Sequence, residues 1–336
     1  MHTIRDVAEK AQVSIATVSR ILNNDTTYKI TQETKERVWR AVTELNYKAR
    51  PKTRKKTTAE EGAFHRIGCV MNLRSSKYTD PYYLSLLSGI ELHMQQHGGE
   101  VSFVKTRQEL ETTDSLQRLM SDPVDGLVLM YPVGKRIFDY LYERIPFIVG
   151  VDTGYPEIDN IEYDHLHVAS MGVTALYERG YRDIGFIGGT DGVTSLESSK
   201  RYQGFLQAMR RYQLPVKAEW IQDCGWDDAV CMQQVESMFR TTGLPRAFFV
   251  GSDLMAMATL RTLYNLGIRV PDEVAVMGLS NLEMSKYSNP PLSTIDIPSE
   301  EMGRTAAKTL LERIAGDMSM KKRIILPSKY VLRDSI

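Results

Sequence analysis

Thr3-Ile4-Arg5-Asp6-Val7-Ala8-Glu9-Lys10-Ala11-Gln12-Val13-Ser14-Ile15-Ala16-Thr17-Val18-Ser19-Arg20 is the stretch that decides how the rest of the chain is read. Thr3 and Asp6 have capping-box-like spacing at the positive end of a helix. Ile4, Val7, Ala8 and Ala11 then share one apolar helical face. Val13 fits the buried turn position, and Ser14 caps a second helix running from Ile15 to about Asn23. Val18 and Ile21 pack inward with Leu22 beside them, which leaves Ile15, Ala16, Thr17, Ser19 and Arg20 on the outer face. In a helix-turn-helix the N-terminal part of the second helix meets base edges in the major groove. The hydroxyls of Thr17 and Ser19 suit phosphates or bases, and Arg20 suits guanine or phosphate. A third helix follows Thr31, with Val38, Ala41, Val42 and Leu45 at helical spacing, and ends at Leu45-Asn46-Tyr47. On spacing alone, a small three-helix domain with a polar face is the competing reading.

Charge supports the nucleic-acid reading. The 336 residues hold 42 Lys and Arg against 42 Asp and Glu, but residues 1–60 hold 13 against 7, so a surplus of +6 there leaves −6 on the remainder. Such asymmetry marks the basic segment as the one that meets nucleic acid. Residues 48–65 read as a linker, strongly basic through Lys48, Arg50, Lys52, Arg54, Lys55 and Lys56, and attracted to phosphate. Cys69, Cys224 and Cys231 form neither a disulfide framework nor a zinc spacing, and Cys69 falls in an apolar strand pattern. The polar start and the lack of a long apolar run predict a cytoplasmic protein.

Beyond the linker, short apolar strands alternate with helices. Ile67–Met71, Glu100–Lys105, Gly126–Met130 and Phe147–Val151 read as strands, with a helix from Tyr83 to His97. A second series, begun at Asn160, has a helix from about Val168 to Arg179 and strands at Ile184–Gly188, Ala247–Val250 and Val274–Gly278. Continuous apolar strands of this kind imply parallel sheets covered on both faces. There are too many units for one ordinary domain, so two doubly wound lobes are expected, with a ligand cleft at the strand carboxyl ends. Asp152, Ser252-Asp253 and Ser280-Asn281 lie just past strand ends, where a sugar site needs carboxylates and amides for hydroxyls. Asp253 reads as structural, bonding backbone at a helix start. Gly188-Gly189-Thr190-Asp191-Gly192 lacks both the dinucleotide and the Gly-Lys-Ser/Thr phosphate spacing and reads as a turn. Asp164-His165-Leu166-His167 reads as a helix start rather than a metal site. No cofactor motif and no metal site is legible.

The run Ile4–Ala8 through Ala16–Asn23, with Thr34–Val38 and Leu45-Asn46-Tyr47, resembles the DNA-binding headpiece of the LacI/GalR repressor family. The resemblance extends over nearly the whole chain to Pro290-Pro291-Leu292-Ser293-Thr294-Ile295 and a terminal strand near Ile324–Leu332. It implies an α/β protein: a small all-α helix-turn-helix headpiece plus a two-lobed doubly wound core resembling periplasmic sugar-binding proteins. The implied domains are residues 1–47 (headpiece), 48–65 (hinge), 66–157 plus 290–318 (first lobe) and 158–289 plus 319–332 (second lobe). DNA contact is assigned to Thr3, Ile4, Ser14, Ile15, Ala16, Thr17, Ser19, Arg20, Asn23, Lys29, Thr31, Thr34, Tyr47, Arg54, Lys55 and Lys56. By resemblance, Ile15 and Ala16 fall where side chains select the operator.

In the same way Asp152 falls on the family's effector aspartate, Arg201 on its inducer-contacting arginine, and Trp226 on an aromatic that stacks on sugar. Asp80, Tyr82 and Tyr83 open the first helix of the lobe and face the same cleft, and Ser252, Ser280 and Asn281 complete the expected effector set. Two positions depart from the family pattern: Ser252-Asp253 replaces Asn-Asp, and Ser280-Asn281 replaces Asp-Asp or Asn-Asp. The hinge departs as well. The family inserts an apolar residue, usually Leu, into the minor groove there, but the register from Tyr47 puts Lys56 at that place and no Leu lies between Asn46 and Phe64.

The expected function is a homodimeric repressor of a sugar-utilisation operon, controlled by a cleft ligand. No heptad tail is legible, which favours a dimer over a tetramer. Asp80–Leu84, Gly185–Gly189, Pro291–Thr294 and Pro327-Ser328-Lys329 resemble the galactose/galactoside branch, so galactose or a galactoside is the expected effector. Another sugar, a purine corepressor or a phosphoprotein partner are the alternatives within the family. A sugar-binding protein without regulatory output is the alternative of another class. An enzyme is disfavoured, because no nucleophile–base or phosphate-cradle constellation is present.

Overall fold

The structure, a computed structural model, describes residues 3–22, 30–45, 64–72, 79–121, 123–190 and 195–336. Asn23, Lys29, Tyr47, Arg54, Lys55 and Lys56, with linker positions 48–63 and Asp191-Gly192, lie outside the described residues. The chain divides into two compact units, residues 1–63 with 112–123 and residues 64–111 with 124–336.

The first unit contains α1 (Ile4–Ala11), α2 (Ile15–Leu22) and α3 (Gln32–Glu44). The Thr3 side chain accepts from the Asp6 amide and the Asp6 carboxylate accepts from Thr3 N, a complete capping box. Gln12 turns the chain out of α1 in the left-handed conformation, φ +54°. Ser14 Oγ then accepts from Thr17 N at 3.0 Å and so caps α2. Val7, Ala8, Ala11, Val18, Ile21, Val38 and Ala41 form the small core, and Lys10 reaches Glu44 on α3 at 2.7 Å. The unit also includes α5 (Thr113–Leu119), capped by Thr112, with Leu116 and Leu119 buried.

The second unit is built on two parallel sheets. β1 (His65–Met71), β2 (Gly99–Thr106), β3 (Gly126–Met130), β4 (Ile148–Val151), β5 (Asp159–Tyr163) and β11 (Arg323–Leu326) form one sheet, in the order β11-β5-β4-β3-β1-β2. β6 (Ile184–Gly188), β7 (Ile221–Asp223), β8 (Ala247–Val250) and β9 (Ala275–Met277) form the other, in the order β7-β6-β8-β9. The first sheet is served by α4 (Pro81–Gln96), α6 (Lys135–Tyr142) and α11 (Ser299–Ile314). The second is served by α7 (His165–Glu178), α8 (Lys200–Arg211), α9 (Asp228–Thr241) and α10 (Asp253–Asn265). β10 (Thr294–Asp296) and β12 (Lys329–Val331) make a two-stranded antiparallel ribbon. The inner strands β1, β3, β4, β6 and β8 are buried over nearly their whole length, which is why they read as unbroken apolar runs.

Four features differ from the sequence expectation. β5, expected to open the second lobe, pairs with β4 in the first sheet, with Gly150 opposite Asn160. Its sequence Asp-Asn-Ile-Glu-Tyr is polar yet wholly buried, so no apolar run announces it. β11, also expected in the second lobe, pairs with β5 and closes the first sheet's edge. The single terminal strand is two strands, because Pro327 interrupts it before β12 pairs with β10. β10 itself, expected in the first lobe, touches the second sheet through the Met277–Ser293 and Ser280–Asp296 bridges. α11 does pack on α4. A Cβ at Gly89 would overlap the Glu300 carbonyl, and one at Gly303 would overlap that of Leu86, so only glycines permit this backbone-to-backbone approach.

Candidate functional site

Two surfaces carry the candidate chemistry, one on each unit. On the first, the outer face of α2 presents Ser14, Ile15 and Ala16 as exposed residues, and Thr17, Ser19 and Arg20 as half-buried ones. Ile15 is 42% exposed, an apolar side chain suited to contact with a thymine methyl. Thr17 Oγ1 lies 2.8 Å from Ser14 Oγ, so the cap and the outer face share hydroxyls. At the start of α3, Thr31 caps the helix by accepting from Thr34 N, and the two hydroxyls are 2.9 Å apart. Thr3 is exposed and Ile4 half-buried at the start of α1. These helix N-termini carry small capping hydroxyls at the positive end of the helix dipole, a setting that suits phosphate oxygens.

On the second unit, side chains from the carboxyl ends of the strands meet others from α4, α7 and α8. Asp80 caps α4 by accepting from Tyr82 N at 2.9 Å, and burial raises its carboxyl above the ordinary range. Tyr82 OH lies 3.4 Å from Asp152 Oδ2, and His165 Nε2 lies 3.0 Å from Asp152 Oδ1. The His165 ring stacks on Tyr163 at 3.9 Å between centroids. Tyr163 OH accepts from Arg201 Nη2 at 2.5 Å and Nε at 3.2 Å, and Tyr131 OH accepts from the same Nη2 at 3.2 Å. Arg201 also lies 4.8 Å from the centre of the Trp226 ring, within cation–π range. Tyr82, Tyr83 and Tyr131 pack edge-on or tilted against one another. The result is one continuous polar and aromatic chain from Asp80 to Trp226.

Backbone geometry aims these groups. Tyr131 and Asp152 directly follow β3 and β4 and have φ of +68° and +52°, in the left-handed region that non-glycine residues rarely occupy. Tyr131 N donates to Val151 O and Asp152 N to Ile161 O, so the ladder holds these conformations in place. Such strain gathers where a side chain must be presented to a ligand. Burial raises the phenols of Tyr82, Tyr131 and Tyr163, most strongly the first two, so all three are neutral hydroxyls able to donate and accept. Trp226 has φ +61° and seats against Gly189, where a Cβ would collide with it.

The cluster therefore gathers Asp80, Tyr82, Tyr83, Asp152, Arg201 and Trp226 from the expected set. Ser252 caps α10 by accepting from Met255 N. Asn281 does not join the cluster: its side chain donates to Asp296 and accepts from Arg333 Nη2 at 2.8 Å. Ser280 is bound through its backbone N to Ile295 O. Asp253 is structural, though its partners are not the start of its own helix. It is fully buried and accepts from Leu282 N and Thr294 Oγ1, tying α10 to β10, and burial pushes its carboxyl up to about 6. Asp164 does begin a helix, accepting from His167 N at 2.9 Å.

Tyr131, Tyr163 and His165 were not legible as site residues. Tyr131 reads as the last residue of an apolar run, Tyr163 ends a strand with no apolar signature, and His165 sits in a helix start. The strand-end rule that picked out Asp152 could have found Tyr131 as well. Among the described residues no group of His, Cys, Asp and Glu could hold a metal ion. No helix among them is long and apolar enough to cross a membrane.

Residues 3–50 match the family of bacterial regulatory proteins of the lacI type, and residues 173–336 match the periplasmic binding protein-like domain. The chain is 31% identical to an HTH-type transcriptional repressor PurR of Actinobacillus pleuropneumoniae serotype 3 (strain JL03), over 100% of this chain and 98% of the relative. It is 29% identical to the ribose operon repressor of Haemophilus influenzae, covering 100% and 99% of the two chains. Among solved structures, a lac repressor dimer bound to operator and the anti-inducer ONPF is similar at a TM-score of 0.70 and 25% identity, covering 99% of this chain and 98% of that one. A headpiece of this construction, a two-sheet core and full-length identity of this degree have one explanation: the chain belongs to the LacI family of bacterial regulatory proteins.

Proposed function

We propose that the chain is a homodimeric repressor of a sugar-utilisation operon, and that a neutral sugar, galactose or a galactoside, controls its operator affinity from the cluster at the strand ends. As a LacI-family member it is a DNA-binding regulator and not an enzyme. The observation that carries the ligand reading is the Tyr82–Asp152–His165 chain beside Arg201, Tyr131 and Tyr163, closed by Trp226. Carboxylate, guanidinium and phenol groups suit the vicinal hydroxyls of a pyranose, and an indole suits its apolar face. Two carboxylates, Asp80 and Asp152, against one guanidinium favour a neutral ligand over an acidic one. A purine is the second reading, supported by the relatives named PurR and by the flat aromatic walls.

The test is operator binding by fluorescence anisotropy, using DNA from upstream of the protein's own gene cluster, with galactose, β-galactosides, ribose, hypoxanthine and guanine. Release by a galactoside supports the reading. A change produced only by the purines replaces it with the second. A protein that ignores all of them loses the ligand assignment and keeps its DNA-binding role. Intrinsic tryptophan fluorescence gives an independent check, since Trp226 lies in the cluster, whereas Trp220 is 6% exposed and Trp39 packs against the headpiece core. A saturable change in emission with the active ligand is expected, and its loss in Trp226→Phe.

The basic linker is proposed to track phosphate rather than wedge the minor groove. Alanine at Arg54, Lys55 and Lys56 together is then expected to make the slope of log affinity against log salt shallower by about 5 in a dimer, from roughly 0.9 counterion per contact. An unchanged slope in a titration from low to moderate salt would remove these residues from the interface.

A further inference from the structure

A second concave surface shares no lining residue with the aromatic cluster. A groove of about 320 Å³ is lined by Tyr155, Glu162, Lys200, Lys321, Lys322 and Arg323, among others. Four of these side chains are cationic and one is a carboxylate. The register of β11 on β5 creates the concentration of charge, placing Arg323 beside Asn160 and Ile325 beside Glu162 at the edge of the first sheet. Arg323 satisfies Glu162, which is nearly buried, through contacts of 2.8 Å and 2.5 Å. Lys322 pairs with Asp317 at 3.1 Å, and Lys321 lies 3.7 Å from an Asp159 carboxylate already held by Arg313. Lys200 is exposed and takes part in no ion pair among the described residues.

We infer that this groove binds the phosphate group of a small phosphate monoester, with Lys200 and Lys321 as its principal contacts. Three features support the assignment. The lining cations outnumber the lining carboxylate, and Arg323 already compensates that carboxylate, so a dianion would meet net positive charge. The volume fits one phosphorylated sugar and is too small for a large ligand. The Tyr155 ring stacks on Phe138 at 3.9 Å and gives the groove a fixed aromatic wall beside its cations. The site also joins the lobes, because Lys200 opens α8 beside the second sheet while the other cations belong to β11 and the chain entering it. Lys200 immediately precedes Arg201, so an anion bound here bears on the helix that supplies the cleft guanidinium. By linkage, a ligand that prefers one lobe arrangement changes the affinity of the other ligand in the same proportion.

The site is independent of the sugar assignment, and the experiment keeps the two apart. The full chain is titrated calorimetrically at constant ionic strength with inorganic phosphate, ribose 5-phosphate and ribose. The unsubstituted protein is compared with Lys200→Gln, Lys321→Gln and Arg201→Ala. Both phosphates are expected to bind. Each lysine substitution should weaken them by roughly tenfold, the loss of one charge-assisted contact. Arg201→Ala should leave phosphate affinity unchanged, and ribose should gain nothing from this groove. Both lysines are exposed, so a folding defect is not the expected cause of any loss, and an unchanged thermal midpoint checks this. No heat from either phosphate at about 10 mM, where even a ~1 mM site would be about 90% filled, overturns the proposal. So does binding that survives both lysine substitutions, which would leave these cations the plainer task of keeping an edge strand from pairing with other chains. Phosphate binding lost in Arg201→Ala alone would place the anion in the cleft and overturn it equally.

Discussion

Arg201→Ala is expected to abolish the response to the cleft ligand while leaving ligand-free operator binding intact. The guanidinium donates to Tyr163 and Tyr131 and lies over Trp226, so its removal takes a charged donor from the proposed effector site and leaves two buried phenols short of a partner. Hydrogen bonds to a charged group contribute about 1.5–3 kcal/mol each, so one lost ligand contact together with the disturbed wall weakens effector binding by about 100-fold or more. Anisotropy of labelled operator, titrated with the active ligand, reads the shift directly. Tyr163→Phe removes one acceptor without emptying the site and is expected to cost about tenfold. An Arg201→Ala protein that releases operator at the same ligand concentration as the unsubstituted chain would move the effector site elsewhere. The headpiece belongs to a separate compact unit, so its operator affinity without ligand serves as the internal control.

The largest effect on stability is expected at Arg313. Its guanidinium is 3% exposed and grips the wholly buried Asp159 through Nε at 2.8 Å and Nη2 at 2.7 Å. Its remaining hydrogens go to the carbonyls of Asp317, Ser319 and Met320, which fixes the path of the chain from α11 into β11. Arg313→Ala leaves a buried carboxylate without its partner and releases that connection, at a cost of about 3–5 kcal/mol to the core. Urea denaturation followed by far-ultraviolet circular dichroism should show the midpoint falling with little change in slope. A loss under 1 kcal/mol would mean that water reaches Asp159 and that the pair contributes little.

The same pair has an acid limb. Burial opposes ionisation of Asp159, yet the Arg313 bonds, the Lys322 amide and the Lys321 charge outweigh it and hold the carboxyl below its ordinary range. Because the folded value lies below the unfolded one, this stabilisation is present above about pH 4 and is lost as pH falls through the folded value. Asp253 acts in the opposite sense. Its carboxyl is raised to about 6, so its contribution is full below the unfolded value and fades as pH rises toward 6. Comparing the stability–pH curves of Asp159→Asn and Asp253→Asn separates the two limbs.

Local rules carried the headpiece. Its caps, turn and apolar spacing act between residues three or four apart, and Thr3, Asp6, Ser14 and Val18 behave as that spacing requires. They also carried the inner strands, whose burial on both faces writes itself into unbroken apolar runs. Such rules failed at β5 and β11. Asp159 and Glu162 are buried because Arg313 and Arg323, more than 150 residues further along the chain, neutralise them. No local pattern reports a partner that distant. The same limit governed the cleft. Asp152 and Arg201 were legible one at a time, but Tyr131, Tyr163 and His165 joined the candidate cluster only when parallel strands brought their carboxyl ends together. Asn281 shows the converse, since a polar residue in a promising place was claimed by Arg333, 52 residues further along the chain. The DNA-reading module and the alternation of strand and helix are written in short-range pattern, because neighbouring residues produce both. Which polar groups neutralise one another in the core, and which gather at the proposed ligand site, is settled by folding, because that depends on charges and hydroxyls the chain holds far apart until it folds.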